Sequence, residues 1–134
     1  MGFEEIEHTA DNALKVYGKN LRELFISAAQ GMTSLMLADL SGVSGEIAKA
    51  VKLETIDTES LLVEWLSELA YWAEAEMLIF KTFNIHRLTA NHVDASVIGG
   101  RAPALDKQIK AVTYHNLKIE KKNHEIEATI VFDV

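Results

Sequence analysis

The segment from Thr58 to Met77 constrains the fold most, because its apolar residues form a wide arc when they are placed on a helix. We expect Thr58 to cap this helix, and the apolar positions that follow are Leu61, Leu62, Trp65, Leu66, Leu69, Trp72, Ala73 and Met77. A helix on the surface of a globular protein needs an apolar stripe on one side only. This helix therefore has to be covered on two sides, and we expect it to pack against both a sheet and a second helix.

A second amphipathic helix is predicted from residue 20 to residue 38. Asn20 is followed three residues later by Glu23, which is the spacing of a capping box. Apolar residues then recur at helical spacing, at Leu21, Leu24, Phe25, Ala28, Met32, Leu35 and Met36. The helical pattern continues through Gly31 in the interior of this segment.

The remaining chain alternates between apolar and polar residues, as half-buried strands do. We expect strands at 2–8, 13–17 (closed by Gly18), 47–55, 109–114 and 117–120, and two strands within 79–97 that are interrupted near Arg87. Gly99, Gly100 and Pro103 indicate the longest loop, and Lys122-Asn123 the turn of a closing hairpin. The last strand places Ile126, Ala128, Ile130 and Phe132 on one face. This pattern predicts one α+β domain over residues 1–134, a two-layer fold with two amphipathic helices on a mostly antiparallel sheet.

Composition excludes several classes of function. The chain has no cysteine, so disulfides, thiolate zinc sites and cysteine nucleophiles are absent. Its net charge is −7, and the only dense basic cluster (Lys118, Lys121 and Lys122) has acidic neighbours, so we expect no strong direct binding of nucleic acid. We expect no signal peptide, and the sequence contains no apolar run near the ~20 residues that a membrane span needs. We therefore expect a soluble cytoplasmic protein that does not associate with membranes.

The familiar catalytic motifs are also absent: the sequence has no nucleophile elbow, phosphate-binding loop, dinucleotide fingerprint or zinc-protease motif. His86 and His92 fall in alternating strands and are predicted to face solvent, and His124 falls in a turn. His8 and His115 each adjoin a polar break in the chain. The residues alone favour a role for both in satisfying backbone groups at strand ends, with a role in a site as the alternative.

The end of the chain suggests a cation site. Asp133 follows the apolar alternation of the last strand, so its carboxylate and the main-chain carboxylate of Val134 are close together. Ca²⁺ and Mg²⁺ take oxygen ligands of this kind, and Asp11 on an adjacent strand could supply a third. Because chain termini usually fray, the residues alone favour a solvated Asp133 over a metal site.

Four stretches of the sequence, in this order and spanning nearly the whole chain, resemble the archease family. They are His8-Thr9-Ala10-Asp11 with Gly18 seven residues later, the helical segment 61–69 (LLVEWLSEL), the segment 110–115 (KAVTYH), and the terminal segment 131–134 (VFDV). Two features depart from the family pattern. The loop at 101–107 lacks a histidine that family members tend to carry, and Ser67 stands where asparagine is common. These departures concern contacts made by the loop and leave the candidate ligands unchanged.

The resemblance implies a two-layer α+β fold and a role as an accessory factor of an RtcB-type RNA ligase, which joins RNA ends in tRNA splicing. Such a factor promotes guanylylation of the ligase and sustains multiple turnover, and it is not itself an enzyme. The family's metal positions fall on Asp11, Asp133 and Val134. With the resemblance, a divalent metal site is favoured, with Ca²⁺ ahead of Mg²⁺ or Mn²⁺, and His8 and His115 are candidates for orienting ligands or contacting the partner.

Two other functions remain as alternatives. A chaperone-like factor would need exposed apolar surface, for which Trp65, Trp72 and Met77 are the ambiguous candidates, although core positions suit them better. A small metal-dependent hydrolase built on Asp11, Asp133 and a histidine is the weakest reading, since two-metal hydrolases generally need more ligands.

Overall fold

The computed structural model describes residues 1–6 and 12–134. These residues form two helices and eight strands, and all strand pairs are antiparallel. The elements are β1 (Gly2–Ile6), β2 (Asn12–Gly18), α1 (Leu21–Met36), β3 (Ile47–Glu54), α2 (Thr58–Glu76), β4 (Leu78–Leu88), β5 (His92–Arg101), β6 (Ala111–Val112), β7 (Glu120–Lys122) and β8 (Glu125–Asp133). The predicted α+β fold, with two helices packed on antiparallel sheets, is confirmed.

The strands form two sheets where the sequence suggested one. The five-stranded sheet has the order β1-β2-β8-β6, with β7 also paired to β8. Its central pair aligns Leu14 with Ile130. As predicted, the last strand turns one face to the core, with Ala128, Ile130 and Phe132 buried and Ile126 half-buried.

The three-stranded sheet has the order β3-β5-β4. The two strands predicted within 79–97 are confirmed, but the interruption lies at 89–91, two residues after Arg87, because β4 runs to Leu88. The register shifts between Ile85 and Arg87, so the irregularity is a bulge inside a strand. The predicted loop at Gly99 and Gly100 is wrong, because both glycines belong to β5, and the loop begins after Arg101.

Helix α1 begins as predicted. The Asn20 side chain accepts a hydrogen bond from the backbone N–H of Glu23 at 2.9 Å, and the Glu23 side chain accepts one from the N–H of Lys19 at 3.0 Å. This reciprocal arrangement satisfies two donors near the helix start. The helix contacts strands of both sheets and α2, which explains why it is buried around much of its circumference.

Helix α2 contacts α1 and strands of both sheets, which confirms the prediction made from its wide apolar arc. Trp65, at its middle, is fully buried. Its indole N–H donates to the carbonyl oxygen of Phe25 in α1 at 3.0 Å, and its ring lies 6.3 Å from those of Phe25 and Phe83. Trp65 is therefore a core residue that joins the two helices to the three-stranded sheet.

The predicted cap of α2 is wrong by one residue. Asp57 occupies the N-cap position, and its carboxylate accepts from the N–H of Ser60 at 2.7 Å. Thr58 is the first residue of the helix, and its hydroxyl donates to the carbonyl oxygen of Ala90. Both residue types suit an N-cap, so the sequence alone did not decide between them.

We expect the stability supplied by Asp57 to depend on pH. Hydrogen bonds from the Ser60 side chain and backbone hold the pKa of Asp57 below its ordinary value. The stabilisation is therefore present above the pKa of the unfolded state and is lost as the pH falls through the lower, folded-state pKa. Asp57→Asn should lower the urea midpoint at pH 7 and have little effect below pH 3, with both measured by circular dichroism. An equal effect at both pH values would contradict this role.

The C-terminal strands are shorter than predicted. The strand predicted at 109–114 is the short strand β6, Ala111–Val112, and the strand predicted at 117–120 lies at Glu120–Lys122. The predicted end of the first strand, at residues 7 and 8, lies outside the described residues. The hairpin turn lies at Asn123 and His124, one residue later than predicted. Asn123 has a φ of 57°, a left-handed conformation that asparagine tolerates better than most residues.

Candidate functional site

Strand β8 carries Asp133 to the end of the five-stranded sheet. Phe132, directly before it, is fully buried, so the alternation of the strand turns Asp133 to the solvent side. Its cross-strand partner is Ala111 of β6, which is also exposed. Opposed residues of an antiparallel pair project to the same side, and the small side chain of Ala111 leaves the carboxylate accessible.

The main chain at Asp133 is held by the segment 102–110, which runs from β5 to β6. Asp106 fixes the middle of this segment to the end of α1: its carboxylate accepts from the N–H of Ala38, and its own N–H donates to the carbonyl oxygen of Met36, both at 2.8 Å. The segment ends where the N–H of Lys110 donates to the carbonyl oxygen of Asp133 at 2.8 Å. The carbonyl group of Asp133 is thus held by the segment that leads into β6, while its side chain is exposed to solvent.

Two of the predicted site residues, His8 and Asp11, lie outside the described residues. Their nearest described neighbour in β2 is Asn12, which is paired with Phe132. The side-chain amide of Asn12 donates to the carboxylate of Glu5 at 3.2 Å. The structure therefore pairs the residue that follows Asp11 in the chain with the residue that precedes Asp133.

The described part of the predicted ligand set is Asp133 together with Val134. Carboxylate oxygens fit a hard divalent cation, so the donor chemistry agrees with the prediction. Within 1–6 and 12–134, however, no group of three or more histidine, aspartate or glutamate side chains is arranged to hold a metal ion. Asp133 and Val134 are two of the three predicted ligands, and the third, Asp11, lies outside the described residues.

His115 lies in an exposed turn beside β8. Thr113 connects this turn to the strand, because its N–H and hydroxyl both donate to the carbonyl oxygen of Val131 at 3.0 Å. The Thr113 hydroxyl in turn accepts from the N–H of His115 at 3.3 Å, and the side-chain amide of Asn116 lies 3.3 Å from Nε2 of His115. Val131 precedes Asp133 by two residues, so the turn that bears His115 is attached near the same end of β8.

Two polar features were not apparent from the sequence. A shallow cleft of about 140 Å³ lies between α2 and the start of β6, with Tyr71 and Glu74 among its lining residues. On the three-stranded sheet, Nε2 of His86 lies 2.9 Å from the hydroxyl of Ser96. Both features depend on which strands and helices become neighbours, for which the sequence carries no local signal.

Lysines of the predicted basic cluster lie beside acidic residues. The ammonium of Lys118 is 3.6 Å from the carboxylate of Glu120, and that of Lys122 is 3.3 Å from Glu127. These are exposed pairs that add little to stability. They do reduce the local positive charge of the cluster.

Residues 3–134 match the family model described as the Archease protein family (MTH1598/TM1083). The chain belongs to the archease family. Among its relatives, a protein archease from Methanosarcina acetivorans is 37% identical, with 98% of this chain and 95% of that protein covered. A protein archease from Archaeoglobus fulgidus is 36% identical, with both chains covered in full.

Solved structures agree with this membership. The solution structure of Methanobacterium thermoautotrophicum protein 1598 superposes with a TM-score of 0.82 at 29% identity, over 99% of both chains. The crystal structure of a Thermotoga maritima archease, described as a possible chaperone, superposes with a TM-score of 0.66 at 21% identity, over 98% of this chain and 96% of that one, and supports the fold alone. In the described part of this archease-family chain, no helix is long and apolar enough to cross a membrane.

Proposed function

We propose that this protein is an accessory factor of an RtcB-type RNA ligase and promotes guanylylation and multiple turnover of that ligase. Membership of the archease family over residues 3–134 carries the proposal. The net charge of −7 and the absence of catalytic motifs support action through a protein partner rather than through direct catalysis on RNA.

The proposed cofactor is a divalent cation, with Ca²⁺ favoured over Mg²⁺ and Mn²⁺. Asp133, the main-chain carboxylate of Val134, and Asp11 are its proposed ligands, and His8 and His115 are proposed to orient ligands or to contact the ligase. A bound cation would neutralise carboxylates that otherwise repel one another, and would present positive charge at the end of β8. The exposure of Asp133 beside Ala111 supports this role, because a partner could approach the carboxylate from solvent.

The test is ligase turnover on a nicked RNA with GTP and Mn²⁺, using the RtcB-type ligase from the same genome. Adding this protein should convert single turnover into multiple turnover, and the guanylylated ligase should accumulate faster. If an active ligase shows no change in either quantity, the proposal is wrong.

The terminal carboxylate provides a separate prediction. Adding two glycines after Val134 converts its carboxylate into an amide, which keeps one weak oxygen donor and loses the charge. We expect calcium affinity, measured by titration calorimetry, to fall at least about tenfold, while the thermal midpoint stays unchanged. Unchanged affinity in the extended protein would remove Val134 from the ligand set.

A chaperone-like role is the alternative, since the Thermotoga maritima structure carries that description. Such a role depends on exposed apolar surface, and Trp65, one of the residues considered for it, is fully buried. Suppression of the aggregation of unrelated proteins, without any effect on ligase turnover, would favour this alternative.

A further inference from the structure

Strand β3 forms a long and regular edge of the three-stranded sheet. It pairs with β5 without interruption from Ile47, opposite Gly99, to Glu54, opposite His92. The other edge strand, β4, has two register shifts that make its edge irregular. Long regular edges expose unpaired backbone groups to other chains, and proteins commonly interrupt or protect them. Of the two edge strands of this sheet, β3 is therefore better suited than β4 to pair with an additional strand.

The register of the β3–β5 pair shows which residues of β3 point their backbone N–H and C=O groups away from β5. The N–H of Thr55 donates to the carbonyl oxygen of Asn91 at 2.8 Å, which continues the β3–β5 ladder by one pair. Hydrogen-bonding direction alternates along an antiparallel strand, so odd-numbered residues of β3 bond to β5. The N–H and C=O groups of the even-numbered residues point away from β5; these residues are Ala48, Ala50, Lys52 and Glu54. Within the described ranges, no other strand pairs with them.

A lysine occupies the inner side of this edge. Lys49 is paired with the fully buried Val97, so its side chain lies on the face that α2 covers. Its ammonium is 4.4 Å from the centre of the Trp72 ring. The indole N–H of Trp72 is shielded from solvent and has no hydrogen-bond partner among the described residues. The inner side of the edge thus carries the cation of Lys49, and a carboxylate of a paired strand would complement its charge.

A second copy of this chain cannot provide that carboxylate. If two copies of the chain paired antiparallel through β3, their three-stranded sheets would join into one continuous sheet. Side chains on the inner face of one β3 would then contact only side chains on the inner face of the other, so Lys49 would meet only the inner-face residues of the second copy. Those residues are Ile47, Lys49, Val51 and Leu53, and none is acidic. Self-pairing would bury the charge of Lys49 unpaired, which is unfavourable, and inward-pointing charges of this kind oppose aggregation through edges.

We propose that the edge of β3 binds an extended segment of a partner protein, which places a glutamate or aspartate opposite Lys49. Apolar residues two positions to either side of the acidic residue would lie beside Ile47 and Val51. Main-chain hydrogen bonds would supply affinity, and the alternate side chains would supply specificity. This interaction is separate from the proposed metal site at the end of β8 and does not depend on the proposed role in RNA ligation.

The test uses the peptide acetyl-Ser-Val-Thr-Glu-Thr-Val-Ser-amide and a matched peptide with lysine in place of glutamate, each titrated into the full chain and followed by amide NMR. The glutamate peptide should slow hydrogen exchange at Ala48, Ala50 and Lys52, and should bind at least about tenfold more tightly than the lysine peptide. Lys49→Glu should reverse this preference. A reversal is the informative readout, because a general loss of structure would weaken both peptides together.

A second variant tests the backbone contacts. Ala50→Pro removes an outward N–H and leaves the ladder to β5 intact, as proline on an edge strand can do. It should abolish binding of the glutamate peptide while the thermal midpoint changes little. The proposal is overturned if the glutamate peptide does not bind the unmodified chain, or if Ala50→Pro binds it equally well. It is also overturned if Lys49→Ala produces a dimer and the unmodified chain binds neither peptide, since Lys49 would then serve only to prevent self-association.

Discussion

Asp133→Asn should return the RtcB-type ligase to single turnover even when this protein is present in excess. The substitution preserves the size of the side chain and removes its charge, so the proposed cation would lose a charged ligand. Replacing residues that only orient metal ligands typically costs 10–100-fold in affinity or activity, and a direct ligand should cost at least about as much. Calcium titration calorimetry and ligase turnover should therefore both show the loss. Because Asp133 is exposed at the end of β8, the thermal midpoint should stay within about 2 °C of the unmodified protein.

Glu125→Gln is the matched control for this prediction. It removes one carboxylate from the opposite end of the same strand, about 27 Å away at the usual rise per residue. This control should retain calcium binding and activation. Full activation by Asp133→Asn would show that the carboxylate of Asp133 has no role. Equal losses in Asp133→Asn and Glu125→Gln would indicate a general effect of net charge.

Much of the fold could be predicted because the decisive signals are local. The capping pair Asn20 and Glu23 positioned the start of α1, and the wide apolar arc of α2 correctly required cover on two sides. The apolar face of β8 was also predicted correctly, from the apolar residues at alternate positions. In each case the sequence within one element determines what that element must bury.

The features that could not be predicted depend on which elements become neighbours. Nothing in the β3 sequence shows that β5 lies on one side of it and that its other side is an edge, because a period of two is the same in central and edge strands. The outward backbone groups of Ala50 and the contact of Lys49 with Trp72 follow from that topology. For the same reason, the fixing of Asp133 by the N–H of Lys110 required the structure.

The candidate site shows a similar division. Asp133 could be proposed from its place after an apolar strand, and the structure adds its exposure and its partner Ala111. Asp11 and Val134 were predicted as ligands because their carboxylates were expected to lie near that of Asp133, and because the family resemblance places metal ligands at these positions. The assignment of all three as metal ligands remains a prediction that calcium titration can decide.

Gly99 shows how a local sequence signal can mislead. Its replacement by alanine is also the substitution with the largest expected effect on stability. Two consecutive glycines usually indicate a turn, yet Gly99 lies within β5, beside the register shift of β4 between Phe80 and Thr82. A Cβ atom at Gly99 would lie 1.9 Å from the carbonyl oxygen of Ile79 and 2.6 Å from the Cα of Phe80. Both atoms belong to the backbone and cannot turn aside as a flexible side chain would. Gly99→Ala should therefore separate β4 from β5 locally and cost more than about 3 kcal/mol, the upper end of common overpacking penalties.

Thermal and urea unfolding followed by circular dichroism would measure this loss. For a domain of this size, about 3 kcal/mol corresponds to a decrease of roughly 10 °C in the thermal midpoint. Gly42→Ala is the matched control, since a Cβ there meets no atom within 4 Å and the backbone has no positive φ. It should change the free energy of unfolding by no more than about 0.5 kcal/mol. If the two variants unfold at the same midpoint, the close contact between β5 and the bulge of β4 is not what requires glycine at position 99, and β4 must be able to move away from β5 at little cost.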